Sequence, residues 1–117
     1  MSVKTFEATV REAPPLAIIR LQGEINGSAE NALNDAYGEA VALNPQGIVL
    51  NFGQVGYINS TGIALIVSIL ASTRREGIPL ITCQLSDHYR EMFEVTRLID
   101  FITVVPDEAD AMRAVAS

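Results

Sequence analysis

The sequence predicts an α/β domain built on a mixed, mostly parallel sheet of about five strands with about four helices. Three observations carry this reading. Apolar runs of strand length alternate with segments at helical spacing, the order expected of a parallel sheet crossed by helices. One run, Ile48-Val49-Leu50-Asn51-Phe52, has the apolar density of a central strand covered on both faces. The passage Tyr57-Ile58-Asn59-Ser60-Thr61-Gly62 then sets a pair of hydroxyls at the turn between that strand and the apolar stretch from Ile63 to Leu70.

The elements follow in order. Thr5 to Arg11 alternates loosely, Glu12-Ala13-Pro14-Pro15 forms a tight turn, and Leu16 to Leu21 runs as a second strand that ends at Gly23. Ser28 is expected to cap a helix from Ala29 to Leu43, where Ala32, Ala36, Ala40 and Leu43, flanked by Leu33 and Tyr37, form a stripe at helical spacing. Asn44-Pro45-Gln46-Gly47 stops it. Ile48 to Phe52 is the central strand, and Gly53-Gln54-Val55-Gly56 is expected to turn the chain into the Ser60 region. From Gly62 to Ala71 the next helix is apolar nearly all round, which predicts burial over most of its surface, and Gly77 and Pro79 end it. Leu80 to Cys83 is a short buried strand. Ser86-Asp87 opens a helix through about Thr96, Phe101 to Val105 is a last strand, and Asp107 to Ala116 is a short helix with acids at its start, as the helix dipole favours. On that last helix Ala109, Met112 and Val115 share an apolar face suited to docking on the sheet or to self-association.

Parallel neighbours need crossover connections, so loops that follow the strands gather on one edge of the sheet. Gly23-Glu24-Ile25-Asn26 and Tyr57-Ile58-Asn59-Ser60 are therefore expected close together.

At 117 residues the chain suits one domain spanning 1–117, large enough to bury about two-thirds of its unfolded surface without disulfides or metal. Fourteen acidic residues against eight basic ones give a net charge of −6. That balance disfavours nucleic acid or an anionic membrane as partner and suits a basic patch on another protein. Cys83 is the single cysteine, so no intramolecular disulfide can form and a reduced cytosolic compartment is the simplest reading. The N-terminal residues lack a signal-peptide pattern, and the longest apolar stretch, Gly62 to Ala71, is too short to span a bilayer. A cytoplasmic protein without direct membrane insertion and without a cofactor is expected.

Among candidate functional residues, Ser60 stands out. A helix start exposes backbone N–H groups without intrahelical partners and carries partial positive charge, so it favours an anionic group there. The structural reading is that Ser60 or Thr61 simply caps the helix. His88, beside Asp87 at a helix start, suits a solvated surface. A Ser60-His88-Asp87 triad is poorly served by adjacent Asp and His, and no nucleophile-elbow motif is present. Cys83 in an apolar strand reads as core. Gly53, Gly56 and Gly62 form no phosphate-binding loop, and no lysine stands among them.

Taken together, Leu21-Gln22-Gly23-Glu24-Ile25-Asn26, Ile48-Val49-Leu50-Asn51-Phe52, Tyr57-Ile58-Asn59-Ser60-Thr61-Gly62 and Arg90-Glu91-Met92-Phe93-Glu94-Val95-Thr96-Arg97-Leu98 resemble the STAS domain family, specifically the bacterial anti-sigma factor antagonists. Order and spacing match over nearly the whole chain. The resemblance implies a non-enzymatic binding protein of transcriptional signalling. Its partner would be an anti-sigma factor that is also a serine-protein kinase, with a phosphatase as a further partner. By position, Ser60 would be the phosphorylated residue, Thr61 its neighbour, and Gly62 would allow close backbone approach at the helix start. Glu24, Asn26, Asn59, Ser60, Thr61, Gly62 and Met92 would form the partner-binding surface. Asn26 and Asn59 stand where many phosphorylated members carry aspartate; asparagine keeps the capping role and loses the ionic one. Met92 and Phe93 lie on a helix with apolar side chains between charged ones, suited to core packing, preferred for Phe93, or to bordering the partner surface. The alternative on the same fold is a non-phosphorylated scaffold subunit of a signalling assembly or of a lipid-transport complex.

Overall fold

The computed structural model describes residues 5–116. They form one five-stranded sheet in the order β1-β2-β3-β4-β5, with each strand beside its sequence neighbours. Pro14 and Pro15, joined by a cis peptide bond, reverse the chain between β1 (Glu7–Ala13) and β2 (Leu16–Ile25), which pair antiparallel. The remaining pairings, β2 with β3 (Gly47–Ile58), β3 with β4 (Leu80–Cys83) and β4 with β5 (Thr103–Val105), are parallel. The mixed sheet with its antiparallel side strand is the architecture expected from the sequence.

Strands that advance steadily in one direction, linked by right-handed crossovers, send every connecting helix to the same face. Here α1 (Glu30–Ala42), α2 (Ser60–Glu76) and α3 (Asp87–Val95) share one core with Ala17, Ile19, Leu21, Ile25, Ile48, Leu50 and Phe52. The opposite face is covered by α4 (Glu108–Ala116), whose Ala111, Met112 and Val115 meet Leu16, Ile18, Val49, Ile81 and Cys83. Successive strand residues thus feed two cores, which explains the uninterrupted apolar runs of β2 and β3.

Several boundaries differ from expectation, each for a local reason. β2 does not stop at Gly23 but runs through it: Gly23 takes φ of +97°, and a side chain there would press on the Thr5 carbonyl oxygen. Ser28 does not cap α1. Asn26 accepts from the Ser28 N–H at 3.0 Å and opens a single 3-10 turn, Gly27–Ala29, from which α1 continues without a side-chain cap. Gly53-Gln54-Val55-Gly56 is no turn. β3 carries on to Ile58, and two register shifts against β2 absorb the extra residues. Helix α2 leaves a whole face uncovered: Ala64, Val67, Ser68 and Ala71 are exposed, Val67 at 43%. Phe101 lies outside β5; it closes a 3-10 turn, Leu98–Asp100, and is exposed beneath the Arg74 guanidinium, 5.1 Å from the ring centroid. Ala109 faces solvent, and Ala111 takes its place on the docked face of α4.

Candidate phosphorylation and partner-binding site

Two strand ends converge on one edge of the sheet. Glu24 pairs with Tyr57 and Ile25 with Ile58 at the last rungs of the β2–β3 ladder. Just beyond, the Asn59 N–H donates to the Ile25 carbonyl at 3.2 Å. The loops that leave these strands are therefore neighbours, as the crossover topology requires. Gly27 and Thr61 face each other so closely that a methyl group on Gly27 would touch the Thr61 Cγ2 at 3.6 Å.

At the start of α2 the cap is Asn59. Its backbone is extended, and its Oδ1 accepts from the Gly62 N–H at 2.8 Å. This answers the question left by the sequence: neither hydroxyl is the cap, and Ser60 occupies the first helical position with Thr61 second, both exposed. The first turn of α2 carries no acidic residue, so nothing on the helix itself offsets its positive end. Gly62 is buried, and a Cβ there would run into the Ile25 carbonyl oxygen. Glycine at this position lets the helix start lie directly against the end of β2 and fixes how far Ser60 projects.

Of the remaining predicted residues, Glu24 and Asn26 lie beside this turn, and Met92 lies on α3. Glu24 is exposed beside Tyr57, itself 55% exposed. Asn26, half-buried, also accepts from the Ser28 hydroxyl at 2.6 Å. Met92 is half-buried and packs against the larger core, so its side chain belongs largely to α3 packing. Phe93 is fully buried, edge-on to Phe52 at 6.1 Å between centroids, as its core reading predicts.

Sequence reasoning missed Tyr89. Its phenolic oxygen accepts from the buried Ile58 N–H at 2.8 Å, two residues before Ser60. An aromatic three residues beyond the Ser86 cap reads as ordinary helix packing, and nothing in the sequence signals that its oxygen reaches a strand.

Other titratable groups lie elsewhere. Cys83 is buried, and burial, with Glu108 and Asp107 adding to it, pushes the thiol up to about 11. It is core, not a nucleophile. His88 is exposed, its ring edge-on to Tyr89 at 4.9 Å. Among the described residues no three His, Cys, Asp or Glu side chains group to hold a metal ion. No helix among them is long and apolar enough to cross a membrane.

The family model of the STAS domain matches residues 7–111, both the sheet and the helices that carry this site. The chain belongs to the STAS domain family. Among relatives of this STAS domain, BtrV of Bordetella bronchiseptica, assigned as an anti-sigma factor antagonist, is 26% identical over 109 residues, covering 93% of this chain and 94% of that one. In structure it is similar to an anti-sigma factor antagonist from Mycobacterium paratuberculosis, with a TM-score of 0.79 at 20% identity over 97% and 96% of the two chains. It is similar also to the phosphorylated form of the Bacillus cell fate determinant SpoIIAA, with a TM-score of 0.69 at 19% identity over 94% and 99%.

Proposed function

We propose that this STAS domain is a cytoplasmic, non-enzymatic anti-sigma factor antagonist. It binds an anti-sigma factor that is also a serine-protein kinase and is switched off by phosphorylation of Ser60. The observation that carries this reading is the exposed Ser60 hydroxyl at the first position of α2, with Asn59 already serving as cap. A hydroxyl free of the capping role can be modified without undoing the helix start. Similarity to proteins named as anti-sigma factor antagonists, and to one solved in a phosphorylated form, supports it.

The binding surface is formed by Glu24, Asn26, Asn59, Ser60 and Thr61 at the sheet edge, with the buried Gly62 setting the helix start beneath them and the exposed part of Met92 at its margin. It continues along the uncovered face of α2 through Ala64, Val67, Ser68 and Ala71, whose small side chains let a partner approach closely. Phosphorylation adds about −1.5 to −2 charges. The helix start stabilises that charge by roughly 0.3–1 kcal/mol, so the fold tolerates it. A partner packed over Ser60 meets added bulk and a charge it must desolvate, and the complex dissociates without refolding of the domain.

Affinity capture from the native host, with the wild-type chain, Ser60→Ala and Ser60→Glu as baits and intact-mass analysis of each, tests this. A serine-protein kinase retained by wild type and Ser60→Ala, lost by Ser60→Glu, together with one phosphoryl group mapping to Ser60, is the expected result. An unmodified chain that retains the same partners with all three baits would overturn the switch and favour the scaffold role.

A further inference from the structure

We infer that Tyr89 is a positioning residue for the Ser60 turn, acting through the backbone N–H of Ile58. The inference rests on the reading of Ser60 given above, although the geometry that carries it is independent of any partner. β3 is twelve residues long, whereas β4 opposes only Ile48 to Asn51. Beyond Asn51 that edge of β3 has no strand beside it. Ile58, 3% exposed, would there leave a buried N–H unsatisfied, and the Tyr89 hydroxyl, on a residue 8% exposed, accepts from it at 2.8 Å. A side chain thus takes over the ladder where the neighbouring strand has ended.

The consequence falls on the next residues. Asn59 N–H is held by Ile25 on the opposite edge, so the segment entering α2 is tied on both sides, to β2 through Asn59 and to α3 through Ile58. Asn59 then caps Gly62 from this fixed base. Helix α3 is itself registered on β3 by the Phe93 ring against Phe52, and Ser86 Oγ accepts from the Tyr89 N–H at 3.3 Å. The direction in which Ser60 projects is therefore set by where α3 sits, and Tyr89 transmits it without contacting a partner.

Removing a single oxygen tests this. Amide hydrogen exchange followed by NMR on the full chain is compared for wild type, Tyr89→Phe and Ile48→Val, the last a core substitution distant from the turn. In Tyr89→Phe the amides of Ile58, Asn59 and Gly62, the three that donate at this turn, lose about tenfold or more in protection beyond the global change, while Ile81 and Thr82 follow global stability. Ile48→Val lowers protection without singling out the turn. Uniform loss in Tyr89→Phe, or an unchanged Ile58, would overturn the inference. Should Tyr89→Phe fail to fold, wild type decides. Its Ile58 amide must exchange as slowly as those of Ile48 to Leu50, and exchange at the rate of exposed loop amides overturns the inference equally. Phosphate incorporation at Ser60 in the native host is measured in parallel. The inference predicts less of it in Tyr89→Phe, and unchanged incorporation beside a loosened turn would overturn the positioning role. Absence of phosphate in both chains would overturn the Ser60 reading alone and leave the exchange result standing.

Discussion

Asn51 Nδ2 donates to Glu108 Oε2 at 2.6 Å, tying the central strand to the first turn of the last helix. Glu108 also pairs with Arg11 of β1 at 2.5 Å and with Arg20 of β2 at 3.5 Å. Asn51 meanwhile accepts from the Gly53 N–H at 2.8 Å, where β3 begins its irregular half. One carboxylate on α4 therefore gathers three adjacent strands. Partial burial alone would push the Glu108 carboxyl up, but the Asn51 hydrogen bond with the Arg20 and Arg11 charges outweighs it and holds the group below its ordinary value.

That shift sets the sign of a pH dependence. A carboxyl with a lowered folded pKa contributes stability above its unfolded value, ordinarily 4.5, and loses that contribution as pH falls through the lower folded value. Urea unfolding of wild type and Glu108→Gln should show a gap on the order of 1 kcal/mol near neutrality that narrows as pH falls below the unfolded value of 4.5. A gap independent of pH would mean that packing, not charge, is lost.

Asn59→Ala removes the side-chain cap of α2 and should lower stability by about 1 kcal/mol. Asn59→Asp keeps the hydrogen bond and adds charge at the positive helix end, so it should match wild type or exceed it by about 0.3–1 kcal/mol. Thermal unfolding of the three chains checks this order.

Gly62→Ala places a methyl group against the Ile25 carbonyl oxygen, which belongs to backbone and cannot rotate away. A loss of about 1–3 kcal/mol follows, with NMR shift changes centred on Ile25, Asn59 and Ser60. Gly56→Ala meets nothing within 4 Å and should lie within about 0.5 kcal/mol of wild type.

Cys83 should resist a disulfide exchange reagent at pH 8 in the native chain and react fully in denaturant, because it is buried and its thiol is held at about 11. Stoichiometric labelling of the folded chain would contradict the packing of α4 over β4.

The hairpin, the buried central strand and the position of Ser60 at a helix start were legible because apolar period, Pro-Pro punctuation and a capping pattern are local signals. The true length of β3 was not. Gly53 and Gly56 read as turn residues, and only pairing with β2 shows that register shifts absorb them. Similarly, Ala64, Val67 and Ala71 read as core, because an apolar helix facing solvent cannot be told from a buried one by composition. Ser28 read as the cap of α1 and Ser60 or Thr61 as that of α2, with Asn26 and Asn59 only retaining a capping type beside them, and in the structure the asparagines do the capping. That Asn26 opens a 3-10 turn ahead of α1 depends on how Asn26, Gly27 and Ser28 fold back, which residue types alone do not dictate. The Tyr89 bond to Ile58 joins residues 31 apart and has no sequence signature.

A sheet whose spatial order repeats its sequence order can be assembled as it emerges from the ribosome. Every strand after the first finds its mate already made, and each crossover helix follows directly on the strand it packs against. Such nearest-neighbour topology keeps each closing loop, and so its entropic cost, small. The exception is the reach of Glu108 to Arg11 across 97 positions. Until α4 docks, Leu16, Ile18, Val49 and Ile81 are bare on one side of the sheet, so the second core is completed only by a helix distant in sequence from the strands it covers.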